Sequence, residues 1–213
     1  MTVIPFSQLV RERTQAAHRS AESSPFITEL LDGDGTREHY VALMEQQYFV
    51  YQALEAVADV MMTDPVVATF AHPALTRMPA IEADLEFLVG PDWFDHLAPL
   101  DATRAYVDRI YEISGWAGGF VAHHYTRYLG DLSGGQAIRT LLQRRFGFET
   151  NGVGFYLFAG IAKPKDFKDT YRAQLDDVAW DDAERERVLA EVNRAFELNR
   201  GVFRGLAEAT AAA

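Results

Sequence analysis

The stretch Arg127-Tyr128-Leu129-Gly130-Asp131-Leu132-Ser133-Gly134-Gly135-Gln136-Ala137-Ile138 constrains this chain more than any other. Its periodicity is helical, yet one face has lost its side chains. Gly130 and Gly134 are four residues apart, so on a helix one lies above the other. Each glycine costs about 0.5–1 kcal/mol relative to alanine in a helix interior. A helix keeps that cost where something flat or bulky must reach its backbone. Asp131, a carboxylate inside the thinned patch, marks the contact as chemically active. Gly135 falls on a different face and reads as the point where the helix bends.

The surrounding periodicity is helical almost throughout. Ser7 reads as the N-cap of a first helix running to about Glu22, with Phe6, Leu9, Val10, Arg13 and Ala17 down one side. Gly33 and Gly35 break the chain. Thr36 then caps a helix to about Met62, with Tyr40, Leu43, Met44, Tyr51, Leu54, Ala58 and Met61 at three- and four-residue spacing. Asp64-Pro65 ends it. Further helices are expected over 66–77, 79–89, 101–114 and, bent at the glycines, 115–146. Residues 153–162 fit a buried helix or a strand equally by composition. Helices over 164–175 and about 181–206 close the chain. Without an internal repeat or hairpin signal, the fold class is all-α.

A chain of 213 residues with 48% hydrophobic content supports one well-buried domain, 1–213 with a core of about 6–206. It contains no cysteine, which excludes disulfides, thiolate metal sites and a cysteine nucleophile, and fits a cytoplasmic location. Neither a signal peptide nor a membrane anchor is legible; the longest apolar run, 153–162, is too short to span a bilayer. The formal net charge of −11 argues against nucleic acid as a partner. Against it stand local basic clusters: Arg11, Arg13 and Arg19; Arg139, Arg144 and Arg145; Lys163, Lys165, Lys168 and Arg172. These are either solvated helix faces or sites for an anionic ligand or an acidic partner.

Arg11, Gln15, His18 and Glu22 form one stripe on the first helix. Neutral imidazole binds a transition metal through one nitrogen, and Glu22, one turn on, reaches the other and orients the ring. A lone helical histidine is more often a surface or capping residue. His123 and His124 are adjacent and point apart, and there is no HExxH and no pair of Glu-x-x-His motifs. One protein nitrogen cannot hold a bare ion tightly, but it can ligate an iron already held in a porphyrin. Asn199 falls among the apolar residues Val188, Val192, Ala195, Phe196, Phe203 and Leu206 of the last helix. It makes either an interhelical structural hydrogen bond or part of a polar network with Asp131. Arg127 and Asp131, four apart, fit a helix-surface ion pair equally well. Tyr51 and Tyr125 read as core aromatics in the absence of other information.

Taken together, these segments resemble the haem oxygenase family. HHYTRYLGDLSGGQAI, residues 123–138, is similar to that family's distal-helix signature. RERTQAAHRSAE, residues 11–22, resembles its proximal helix, FKDTYR, residues 167–172, a propionate-binding segment, and AFELN, residues 195–199, part of its last helix. The resemblance covers residues 6 to 206.

It implies a haem, both substrate and cofactor, between the first helix and the glycine-bent helix. His18 is then the iron ligand, Glu22 its partner, and Gly130 and Gly134 lie over the open distal face. Asp131, with Tyr51, Arg127 and Asn199, organises waters that deliver protons for O2 activation. The products are biliverdin, carbon monoxide and ferrous iron. Tyr125, Lys168 and Arg172 hold the propionates, joined by Arg11 where lysine is expected; arginine keeps the charge but is larger and planar. Cleavage at the α-meso carbon follows from that seating. A soluble bacterial or plastid-type member would take electrons from a ferredoxin-like or flavoprotein donor docked at the basic clusters. Two rivals remain: a haem carrier on the same fold, which needs no proton network, and a thiaminase-like hydrolase, whose usual cysteine is missing.

Overall fold

Proline, threonine and aspartate at the chain's turns divide it into ten α-helices, in a computed structural model that describes residues 4–32 and 35–211. They are α1 (Phe6–Glu22), α2 (Pro25–Asp32), α3 (Arg37–Met61), α4 (Pro65–Phe70), α5 (Met78–Val89), α6 (Asp101–Glu112), α7 (Ala117–His124), α8 (Gly135–Phe146), α9 (Pro164–Asp177) and α10 (Asp182–Ala211). No strand occurs among the described residues. Gly33, one of the two expected chain breaks, lies outside them.

The cap chemistry is local where the sequence suggests it. Thr36 accepts from the His39 N–H at 3.3 Å, and His39 Nδ1 accepts in return from the Thr36 N–H at 3.2 Å. This is a reciprocal cap with histidine in the usual glutamate position. Asp64 accepts from Val66 and Val67, so the Asp64-Pro65 pair that ends α3 also opens α4. The expected 66–77 helix stops at Phe70, and a 3-10 turn, Pro73–Leu75, follows. Ser7 does not cap α1. The helix starts one residue earlier, and Ser7 donates to Asp176 of α9.

Residues 153–162 form neither helix nor strand but a buried loop with one 3-10 turn, Gly154–Tyr156. Buried backbone needs partners, and here two charged side chains supply them. Arg77 donates to the carbonyls of Phe155 and Leu157 at 3.1 and 2.7 Å, while Asp84 accepts from the N–H groups of Gly154 and Phe155 at 2.9 and 2.7 Å.

α10 packs against α1, α6 and α7, and α3 against α5 and α6. On α10 the expected apolar face, Val188, Val192, Ala195, Phe196, Phe203 and Leu206, is buried, and so is Glu191. Glu191 accepts from Arg109 through both carboxylate oxygens, at 2.9 and 2.6 Å, and lies 2.9 Å from His123 Nε2. Burial pushes its carboxyl up, but the Arg109 and His123 contacts outweigh this and hold it at about 2. His124 lies 3.0 Å from the Tyr171 hydroxyl, and burial drives its imidazole down to about 3.

These groups set an acid limit on stability. His124 is depressed when folded, so its neutral form contributes fully above its ordinary 6.5, and that contribution is lost as pH falls toward about 3. Glu191 adds a loss in the same direction between 4.5 and about 2. Urea titrations at pH 7.5 and 5.0 should show stability falling by up to about 2 kcal/mol from His124. His124→Phe should flatten that dependence; a variant with the unmodified slope would assign it elsewhere.

Candidate functional site

The glycine-rich stretch is one helix interrupted twice. α7 passes into a π-helical turn, Tyr125–Leu129, continues helical through Gly130 and Asp131, and opens at 132–134 before α8. A π turn shifts the register of the side chains that follow and recurs at functional sites. At the opening, Lys168 donates to the freed Leu132 carbonyl at 3.3 Å and to the Ser133 hydroxyl at 2.9 Å.

The glycines differ in what surrounds them. Gly130 and Gly134 have ordinary right-handed helical dihedrals, φ −60° and −74°, so backbone conformation does not demand glycine. A Cβ at Gly130 would meet nothing within 4 Å, and one at Gly134 would meet only the Gly130 carbonyl oxygen at 3.8 Å. Both face open space. Gly135, expected as the bend, instead allows close packing: a Cβ there would stand 2.8 Å from the Tyr156 ring.

The open space is a slot between α1 and this interrupted helix. One part, about 320 Å³, is lined mostly by apolar groups together with His18, Glu22, Gln47, Arg127, Asp131 and Asn199. A second, about 310 Å³, includes Arg11, Tyr125, Ser133 and Arg172. The two share His18, Thr126, Gly130 and Phe196 as walls. Each is of the size organic ligands occupy. His18 is half-exposed into this space, with Nδ1 3.2 Å from the Glu22 carboxylate and Phe196 edge-on at 5.5 Å. With Nδ1 engaged, Nε2 is the nitrogen available for ligation.

Asp131, Tyr51, Arg127 and Asn199 come together on one wall. The buried Tyr51 hydroxyl donates to Asp131. Arg127 is buried, so its expected surface pair with Asp131 does not form. Its guanidinium donates to Asn199 Oδ1 at 2.5 Å and to Gln47, and lies 4.9 Å from the centroid of the Tyr51 ring. Burial raises the Asp131 carboxyl above its ordinary value, although Arg127, the Tyr51 hydrogen bond and Arg77 pull the other way. Burial also holds the Tyr51 phenol well above 10, so Tyr51 stays a donor.

Arg11, Tyr125 and Arg172 line the mouth, and Arg172 pairs with Asp169 at 2.9 Å. Lys168 stands beside them on Ser133. An apolar slot with a cationic rim, on a chain of net charge −11, suits a ligand with an apolar body and carboxylates at one edge.

Sequence reading missed Gln47 and the 154–156 loop. Gln47 lies one turn before Tyr51 on an apolar helix, a buried amide that invites the question asked of Asn199. Phe155 and Tyr156 line the slot from a segment without periodicity, and Gln136 donates to the Tyr156 carbonyl at 2.7 Å.

The glycine environments predict opposite effects of one added methyl. Gly130→Ala should raise stability toward denaturant by about 0.5–1 kcal/mol, as alanine does in an unobstructed helix, while narrowing the slot. Gly135→Ala should destabilise by about 1–3 kcal/mol through overpacking on Tyr156. Urea unfolding of both variants decides; a destabilised Gly130→Ala would show that its face is not open.

The family model described as "Heme oxygenase" matches residues 4–205. Heme oxygenase 1 of the cyanobacterium Synechocystis is 38% identical over 207 residues, 97% of this chain and 86% of that protein. The crystal structure of Synechocystis heme oxygenase-1 in complex with heme superposes with a TM-score of 0.90 at 35% identity, covering 98% of this chain and 96% of that one. Synechocystis heme oxygenase-2 in complex with heme and NO gives 0.93 at 32% identity, covering 98% and 88%. The chain belongs to the haem oxygenase family.

Proposed function

We propose that this slot seats haem by its carboxylates at the Arg11–Arg172 mouth and opens the ring at the α-meso carbon, with Asp131 governing the protons. Oxidative cleavage of haem is the function of the family, and haem is both its substrate and its prosthetic group. The residues fit that group: a face where two helical glycines meet no neighbour, a histidine with one nitrogen engaged, and a cationic rim. The open face at Gly130 and Gly134, in the same cavity as His18, is the observation that carries the reading.

When bound, haem supplies the iron at which O2 is activated and the porphyrin that is opened to biliverdin, with release of carbon monoxide and ferrous iron. His18 Nε2 holds the iron, and Glu22 fixes the imidazole orientation from Nδ1. Gly130 and Gly134 would offer a bound haem no side-chain ligand and would leave room beside it for a small molecule such as O2. Tyr51 donates to Asp131 Oδ2, which leaves Oδ1 for a water in the cavity. Burial raises the Asp131 carboxyl, so it holds a proton more readily than an exposed carboxyl does. Arg127 is locked by Asn199 and Gln47 and keeps the wall in place. Arg11, Tyr125, Lys168 and Arg172 would hold the propionates, and that seating would select the α-meso carbon. A ferredoxin-like or flavoprotein donor suits the basic edge around the mouth. No helix among the described residues is long and apolar enough to cross a membrane, which supports a cytoplasmic enzyme.

The test is to add haemin to the apoprotein, supply reductant under air, and follow the spectrum. Biliverdin should appear; a persistent Soret band without pigment would leave only a haem carrier. His18→Ala should lose turnover and recover part of it with added imidazole. Asp131→Asn should bind haemin near normally yet lower biliverdin yield by about tenfold or more, the scale on which a positioned proton donor acts. An unchanged yield would remove Asp131 from the mechanism.

A further inference from the structure

α1 starts poorly by its own sequence. Pro5 precedes it and makes no side-chain cap, and its first turn carries no acidic residue. The first amide N–H groups of a helix lack internal partners and carry partial positive charge. The partner here comes from across the fold: Asp176 accepts from the Ser7 N–H at 2.7 Å and from the Ser7 hydroxyl at 3.0 Å. Asp176 is itself poorly placed locally. It lies in the last turn of α9 beside Asp177, with no basic residue in that turn, where its own helix dipole disfavours a carboxylate by about 0.3–1 kcal/mol. Each helix end corrects the other, and such broken local rules usually mark a functional constraint.

The contact sets register. One turn onward from Ser7 along α1 stands Arg11, and one turn back from Asp176 along α9 stands Arg172. All but Asp176 line a single surface cavity of about 600 Å³, and Arg11 and Arg172 also line the mouth of the slot. Asp169 pairs with Arg172 at 2.9 Å within the same cavity, so the position of Arg11 relative to Arg172 is left to the packing of α1 on α9. The other α1 anchors lead elsewhere: Phe6 packs edge-on against Trp180 at 5.8 Å, Arg13 pairs with Glu186, and Arg200 donates to Ser20 at 2.9 Å. Among the described residues, the hydrogen bonds between α1 and α9 are those of Ser7 with Asp176.

We propose that Asp176 is a positioning residue: its clamp on Ser7 holds the α1–α9 register that keeps Arg11 and Arg172 together, and thereby sets how the haem carboxylates are seated. This rests on the propionate reading given above, and deepens it by naming a residue that touches no haem.

The experiment compares Asp176→Ala, Asp176→Asn, Ser7→Ala and Arg172→Ala with the unmodified protein. Apoprotein is titrated with haemin. In-plane haem orientation is read from the haem-methyl proton shifts of the ferric cyanide complex, and biliverdin isomers are separated after turnover. Asp176→Ala, which removes both bonds, should weaken haemin binding about three- to tenfold and give mixed orientations and mixed isomers; Ser7→Ala, which removes the hydroxyl bond and keeps the amide bond, should shift both in the same direction by less. Asp176→Asn, which keeps an acceptor for the Ser7 amide, should restore most of the single orientation. An Asp176→Ala protein that melts earlier but seats haem unchanged and gives the unmodified isomer pattern overturns the inference. Should that variant fail to fold, Ser7→Ala, which loses the hydroxyl bond alone, decides: an orientation and isomer pattern identical to the unmodified protein overturns the inference. If Arg172→Ala alters neither affinity nor orientation, the propionate reading itself fails; if it alters them while the clamp variants do not, only the register inference fails.

Discussion

The site depends on a guanidinium buried where charge is expensive. Arg127 lies inside the fold between three helical segments, and removing one partner of such a group costs far more than the pair contributes. Its position is therefore over-determined: Asn199 from α10, Gln47 from α3, and the Tyr51 ring beneath it. These contacts bind the interrupted helix to the two longest helices. With Tyr51 fixed, its hydroxyl donates to Asp131, and that carboxyl is held by what surrounds it.

Asp131 and Glu191 show how the same fold tunes two carboxyls in opposite directions. Glu191 is buried and Asp131 partly so, and desolvation alone raises both. Glu191 receives two hydrogen bonds from Arg109 and a close contact from His123, so it stays ionised and serves as a structural anchor. Asp131 receives one from a neutral phenol and has no ion pair with Arg127, so burial prevails. Arg127 itself lies in the π-helical turn, Tyr125–Leu129, and Asp131 two residues beyond its end.

The slot is shaped by absent side chains and by an irregular loop held rigid. Gly130 and Gly134 leave a bare face, and Gly135 lets Tyr156 close against the backbone. The loop bearing Phe155 and Tyr156 has no periodic hydrogen bonding of its own. Arg77 grips its carbonyls and Asp84 its amides, so one wall of the cavity is built by two buried charges from elsewhere in the chain.

Much of this was legible in the sequence. Three-to-four-residue periodicity fixes helices over nearly the whole chain, because the burial of one helix face is a local pattern. The Gly130–Gly134 spacing, the His18–Glu22 pair and the odd polarity of Asn199 likewise stand out locally, and the family resemblance is what links them to haem. What remained hidden is whatever depends on partners distant in sequence. Ser7 looks like a cap until Asp176 supplies the cap from 169 residues away; Arg127 and Asp131 look like a surface pair until burial separates them; Gly135 looks like a bend until Tyr156 arrives. Residues 153–162 had no readable state, since their backbone is satisfied by side chains of α5 and its flank and not by neighbours. The sequence by itself determined which faces must be buried and which polar residues interrupt them, because those follow from local spacing. Only the tertiary structure decided which polar groups are paired, and so which carboxyl is raised and which is lowered, because pairing and desolvation are properties of packed neighbours.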